Sequence, residues 1–156
     1  LRQVWAGAQR VAPHIEAVSP LLVPWPESSL ARWANAHLLA WQIRAALQRL
    51  PRRPVQLWLF TPDAPEVIPL LAPERVVYYC VDEFAAFAGF NTALIERLEQ
   101  RTLAAADVVL ATSQPLHERL RGQHPRVHFV PHGVDYAHFA AAAELPVFMG
   151  LVREDG

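Results

Sequence analysis

Four groups of residues in this chain of 156 have the types and settings to do chemistry. Asp82 and Glu83 follow the apolar run Val76-Val77-Tyr78-Tyr79-Cys80-Val81, so they should stand where a buried strand ends. There Asp82 can accept a hydrogen bond from a hydroxyl group or act as a general base. The competing reading is that it caps or braces the loop from Glu83 to Gly89. Glu83 reads as a solvated or loop-bonding carboxylate, because a hydrolase pair needs a second carboxylate at a set distance that a sequence does not supply. Ser113 follows a second apolar run and precedes a helix, so it can cap that helix and point backbone N–H groups at an anion. Capping alone is the commoner use of such a serine. Thr61-Pro62 follows a third run, and His132-Gly133-Val134-Asp135 follows a fourth, with Gly133 free to take positive φ and admit another backbone. Asp135 is placed to cap the turn of helix that contains Tyr136 to Phe139.

Other chemistries find little support. His124, His128, His132 and His138 are near in sequence, but four-residue steps along a strand separate the first three by roughly 13 Å each, too far to share one ion. No metal site is expected. No Gly-x-Ser-x-Gly elbow surrounds Ser113, and Walker, Gly-x-Gly-x-x-Gly and Cys-x-x-Cys patterns are missing. This chain holds no complete nucleotide-binding fingerprint. A charged fraction of 19% and a net charge of -1 lack the basic footprint of a nucleic-acid binder. The single cysteine, Cys80, lies mid-strand and reads as a small buried hydrophobe. No run of 18 apolar residues or export signal is visible, and a chain that opens on Leu1 is expected to start inside a longer product.

The elements that must position these groups follow from hydrophobic pattern. Strands are expected at Arg75 to Val81, Asp107 to Thr112 and Arg126 to Val130, separated by helices at Asn91 to Ala106 and Gln114 to Arg121. Their apolar runs are continuous rather than alternating, the mark of strands covered on both faces of a parallel sheet. A βαβαβ succession of this kind carries its ligands beyond the carboxyl ends of the strands. Upstream, Ser28 or Ser29 caps a helix to about Leu50 whose stripe of Leu30, Trp33, Ala34, His37, Leu38, Trp41, Ala45 and Leu47 is expected to pack on the sheet. A membrane-surface role for Trp25, Trp33, Trp41 and the nearby arginines is the rarer alternative. Val55 to Phe60 reads as another strand, Glu66 to Leu71 as a short helix, and His14 to Val18 as a short strand in a poorly patterned start. The fold class is α/β, a Rossmann-like three-layer sandwich with a mostly parallel sheet.

Taken together, Tyr78-Tyr79-Cys80-Val81-Asp82-Glu83-Phe84, Glu99, Ala106-Asp107-Val108-Val109-Leu110-Ala111-Thr112-Ser113 and Val130-Pro131-His132-Gly133-Val134-Asp135 with Phe139 resemble the N-terminal domain of bacterial GT-B glycosyltransferases that build cell-surface polysaccharides. The resemblance covers about 65 residues well and Ser28 to Ala72 more loosely. It implies that residues 1–143 are the acceptor-side half of a two-domain enzyme, lacking its first strand and glycine loop. Residues 144–156 would be a linker and the start of an absent domain that holds the nucleotide sugar. The donor is then a nucleoside-diphosphate sugar, the acceptor a saccharide or lipid-linked saccharide, and no metal or other cofactor resides in this chain.

The same resemblance makes Asp82 the catalytic candidate and Thr61, Pro62, Asp82, Glu83, Ser113 and Gly133 the substrate-binding ones. Relatives usually carry His where this chain has Val81, and Asn where it has His132. The implied setting is cytoplasmic, with peripheral contact at the inner membrane face, no nucleic-acid partner, and self-association through the surface a missing domain would leave. The chain alone is expected to be inactive. Two rivals stay open: a non-catalytic α/β binding module, and a fragment of a nucleotide-sugar 2-epimerase-like isomerase.

Overall fold

The computed structural model describes residues 8–51, 53–89 and 91–142. Its centre is a four-stranded parallel sheet of β3 (Gln56–Leu59), β4 (Arg75–Cys80), β5 (Val108–Ala111) and β6 (Val127–Phe129), ordered as in sequence. The connections are the helices α2 (Val67–Leu71), α3 (Thr92–Ala105) and α4 (Gln114–Arg121). This is an α/β fold with a parallel sheet flanked by helices, the arrangement of a Rossmann-like three-layer sandwich. The register pairs Leu59 with Tyr78, Cys80 with Ala111, and Ala111 with Phe129, so the carboxyl ends of the last three strands lie side by side.

Side-chain alternation decides which face holds the core. Tyr78, Cys80, Val109 and Ala111 point to the face covered by Leu103 of α3 and Leu116 and Leu120 of α4, and all seven are buried. Leu59, Ala106 and Val127 close this cluster at its margins. On the other face Trp58 stays about half exposed beside the buried Val77.

Local chemistry explains where elements begin. Asn91 accepts from Leu94 N at 3.1 Å and caps α3, while Ser113 accepts from Leu116 N at 3.4 Å and caps α4. Pro69 fits inside α2 because the first turn of a helix has no N–H bond to lose. Asp107 starts β5 by accepting Val76 N on its carboxylate at 2.8 Å and donating its own N–H to Val76 O at 2.8 Å. That reciprocal pair sets the register between β4 and β5.

Two expectations change. Before the sheet stands a hairpin, β1 (Ala8–Ala12) against β2 (Ile15–Val18), of which only the second strand was legible. His14 turns it with φ 66°, a left-handed conformation that few sequence signals announce outside glycine. The long helix α1 (Ser29–Leu47) is capped by Ser28, whose side chain accepts from Ala31 N. It does not bury the expected stripe, since its buried residues are Ala31, Ala36 and Ala40. Alanines let α1 approach α2 closely, and Leu30, Trp33, His37, Leu38 and Trp41 are left on the outside. Downstream, α5 (Tyr136–Ala142) contains the short helix expected at Tyr136 to Phe139, and Phe139 N donates to Asp135 O at 3.1 Å. The expected linker and domain start at residues 144–156 lie outside the described residues.

Candidate functional site

The loops leaving β4, β5 and β6 surround a cleft of about 720 Å³, lined among others by Asp82, Glu83, Thr112, Ser113, Arg119 and His132. Its floor is fixed by backbone bonds and one threonine hydroxyl just past the strand ends. Thr112 N donates to Cys80 O at 3.3 Å, Thr112 Oγ1 to Val81 O at 3.0 Å, and Val130 N to Ala111 O at 2.8 Å. Parallel strands in register thus bring three separate loops to one opening.

The wall of the cleft is a chain of ionised and hydroxyl groups that runs into the core. Glu99 on α3 is 7% exposed and accepts from the Tyr78 hydroxyl at 2.9 Å. Arg119 on α4 grips the same carboxylate with both terminal nitrogens, Nη1 to Oε2 at 2.7 Å and Nη2 to Oε1 at 3.2 Å. Its remaining nitrogen, Nε, lies 2.8 Å from Glu83 Oε2, an ion pair without the angle of a hydrogen bond. Arg119 therefore joins a buried carboxylate to one on the cleft rim.

Burial, reinforced by the charges of Cys80 and Glu99, pushes the Tyr78 phenol far above its ordinary range. Burial likewise pushes the Cys80 thiol up to about 11. For Arg119 burial acts against the charge, but the bonds to Glu99 and the field of Glu83 outweigh it and hold the guanidinium ionised. The network is thus a neutral phenol and thiol under a fixed pair of opposite charges.

Asp82, Glu83 and Ser113 converge on this cleft, with His132 facing them. The Asp82 carboxylate is exposed and has no hydrogen-bond or ion partner among the described residues, while its backbone carbonyl accepts from Cys80 Sγ at 3.4 Å. Ser113 uses its hydroxyl on the α4 cap. Thr61 and Pro62 are not among the residues lining the cleft. Thr61 Oγ1 donates to Asp63 Oδ1 at 2.6 Å, and the buried Pro62 presents its carbonyl to the Thr102 hydroxyl at 3.4 Å, bracing α3.

Gly133 is exposed next to His132, yet it does not take positive φ; Gly89 alone among the described glycines does, at 88°. A Cβ added at Gly133 would meet nothing within 4 Å, so no close backbone approach among the described residues demands glycine there.

Arg119 escaped the sequence reading, and Glu99 entered it only through a resemblance. The signal for Glu99 was present: with Leu94, Leu98, Thr102 and Leu103 it falls on the buried face of α3, where a carboxylate needs a cation. Nothing local in α4 announced which arginine would answer it. Of the histidines, His124 is committed to backbone, with Nε2 3.1 Å from Ala106 O and Nδ1 accepting Arg126 N at 3.1 Å. Among the described residues no three His, Cys, Asp or Glu side chains gather as a metal site.

No family model matches the chain. It is similar to TuaH of Bacillus subtilis (strain 168), a protein named as a glycosyltransferase of teichuronic acid biosynthesis, with 29% identity over 102 residues. The match takes in 58% of this chain and 26% of that protein, so the chain spans about a quarter of its relative. A distant relationship to glycosyltransferases is what this likeness supports.

Proposed function

We propose that this chain is the acceptor-side half of a GT-B glycosyltransferase of cell-surface polysaccharide synthesis. The observation that carries the reading is the similarity to a glycosyltransferase of teichuronic acid biosynthesis. The cleft supplies a place for the chemistry, because Asp82, Glu83 and Ser113 share one opening at the carboxyl ends of parallel strands. In this reading residues 1–143 present a saccharide or lipid-linked acceptor, and residues 144–156 lead into a domain that holds a nucleoside-diphosphate sugar.

The unpartnered Asp82 carboxylate is the general base, taking the proton of an acceptor hydroxyl as that oxygen bonds to the anomeric carbon and the bond from this carbon to the diphosphate breaks, the electron pair leaving with the nucleoside diphosphate. Glu83, held by Arg119, accepts hydrogen bonds from neighbouring sugar hydroxyls. The N-cap of α4 at Ser113 faces the donor's phosphates. The enzyme works in the cytoplasm, and no described helix is long and apolar enough to cross a membrane.

Titration calorimetry with uridine and guanosine diphosphates tests the division of labour. A longer product that includes this chain should bind one of them, and residues 1–156 alone should bind neither and turn over no nucleotide sugar. Nucleotide-sugar turnover by the short chain would overturn the assignment.

A further inference from the structure

Arg119 is the one arginine among the described residues lining the cleft, and the chain has no lysine. In a cleft that faces a phosphorylated donor, such a cation would ordinarily meet phosphate. Here all three of its nitrogens are engaged. Nη1 and Nη2 are taken up by the Glu99 carboxylate, and Nε faces Glu83 Oε2 at 2.8 Å. Arg119 is therefore built to hold protein groups and not a ligand.

The hold starts from rigid ground. Leu116 and Leu120, on either side of Arg119 in α4, are buried, as are Leu98, Thr102 and Leu103 around Glu99 in α3. A two-bond fork between two packed helices leaves the guanidinium little freedom. From there it reaches the loop after β4.

That loop is gripped residue by residue from three elements. Val81 O accepts from the Thr112 hydroxyl at 3.0 Å, Asp82 O accepts from Cys80 Sγ at 3.4 Å, and Glu83 meets Arg119. The first two contacts act on backbone, and a thiol is a weak donor. Only the third acts on a side chain, and it acts between opposite charges. Asp82 and Glu83 are adjacent carboxylates that repel one another, and Arg119 draws one of them away. It thereby decides which of the two is left free at the opening.

We infer that Arg119, anchored on Glu99, is the positioning residue of the cleft: by taking Glu83 it fixes the loop and leaves Asp82 as the carboxylate that meets the acceptor hydroxyl. This role for Asp82 rests on the sugar-transfer reading above, whereas the hold on the loop does not.

Hydrogen exchange on the 156-residue chain reads the hold, and turnover by a longer product that contains it reads the consequence. Arg119→Lys keeps a cation for Glu99 but offers one nitrogen in place of three, so it cannot serve both carboxylates. The amides of Ala86 and Phe87, bonded to Glu83 O and Phe84 O, should then exchange about tenfold faster or more, with circular dichroism unchanged. Glu83→Gln leaves the Arg119–Glu99 pair intact and should do the same, which decides the point where the lysine variant fails to fold. In the longer product Arg119→Lys should lower kcat by about 10- to 100-fold with the nucleotide-sugar KM unchanged. The double variant Asp82→Asn/Arg119→Lys should be no slower than Asp82→Asn alone, because both act through one group.

Unchanged exchange at Ala86 and Phe87 in Glu83→Gln would overturn the hold. A raised KM with kcat intact would make Arg119 a donor contact and overturn its positioning role. A double variant slowed by the full factor beyond Asp82→Asn would overturn positioning through Asp82 and leave the transferase reading standing. Asp82→Asn turning over as fast as the original would instead sink the sugar-transfer role of Asp82, with the exchange result still deciding the hold.

Discussion

Glu99 is buried with Arg119 and Tyr78 both bonded to its carboxylate, and the side that loses its partner sets the cost of breaking the arrangement. Glu99→Gln leaves Arg119 partly buried against a neutral amide and should lower unfolding free energy by about 2–4 kcal/mol in urea titrations. Glu83→Gln removes only the rim partner, whose side chain is 43% exposed, and should change stability by less than about 1 kcal/mol. Equal costs would mean that the network does not run inward from the rim. Cys80 gives a pH test. Its thiol titrates near 11 when folded, above the range of a free thiol, so the fold favours the neutral form. That contribution is intact below the unfolded pKa and is lost as pH rises from about 9 towards 11. Tyr78, shifted the same way, adds a loss that begins near pH 10. Urea titrations of Cys80→Ala should therefore lack the part of the decline that starts near pH 9, and keep the later one.

Elements were legible wherever the signal was local. The runs at Val76 to Val81 and Val108 to Ala111 predict buried parallel strands, and Asn91, Ser113 and Ser28 mark helix starts within a residue. Replacing Ser113 by Ala should cost α4 about 1 kcal/mol, read by chemical denaturation, with Ser113→Asp restoring most of it. What failed was long-range. The periodicity of α1 predicts an apolar stripe, but both sides of the helix are apolar, and the alanine side wins because small residues allow closer approach to α2. Thr61 and Pro62 follow a strand as a site residue would, and the structure turns the loop after β3 towards α3, where Pro62 O accepts from Thr102. The left-handed His14 concealed the β1–β2 hairpin. Arg119 was invisible for a related reason: its role depends on α3 and α4 lying side by side, which no window of sequence states.

At the scale of the whole molecule, the parallel register is what makes one opening out of three loops, and Asp82 is the group that this opening leaves free to react. Glu83, Ser113 and Arg119 already have partners, so they shape and charge the cleft more than they change during a reaction. The decisive measurement for the proposed transferase is nucleotide-sugar turnover by a longer product that contains this chain, compared with its Asp82→Asn variant. The account predicts that the variant folds with an unchanged melting temperature and loses about 10²- to 10⁴-fold in kcat, the contribution of a positioned base. A variant that turns over as fast as the original would contradict it.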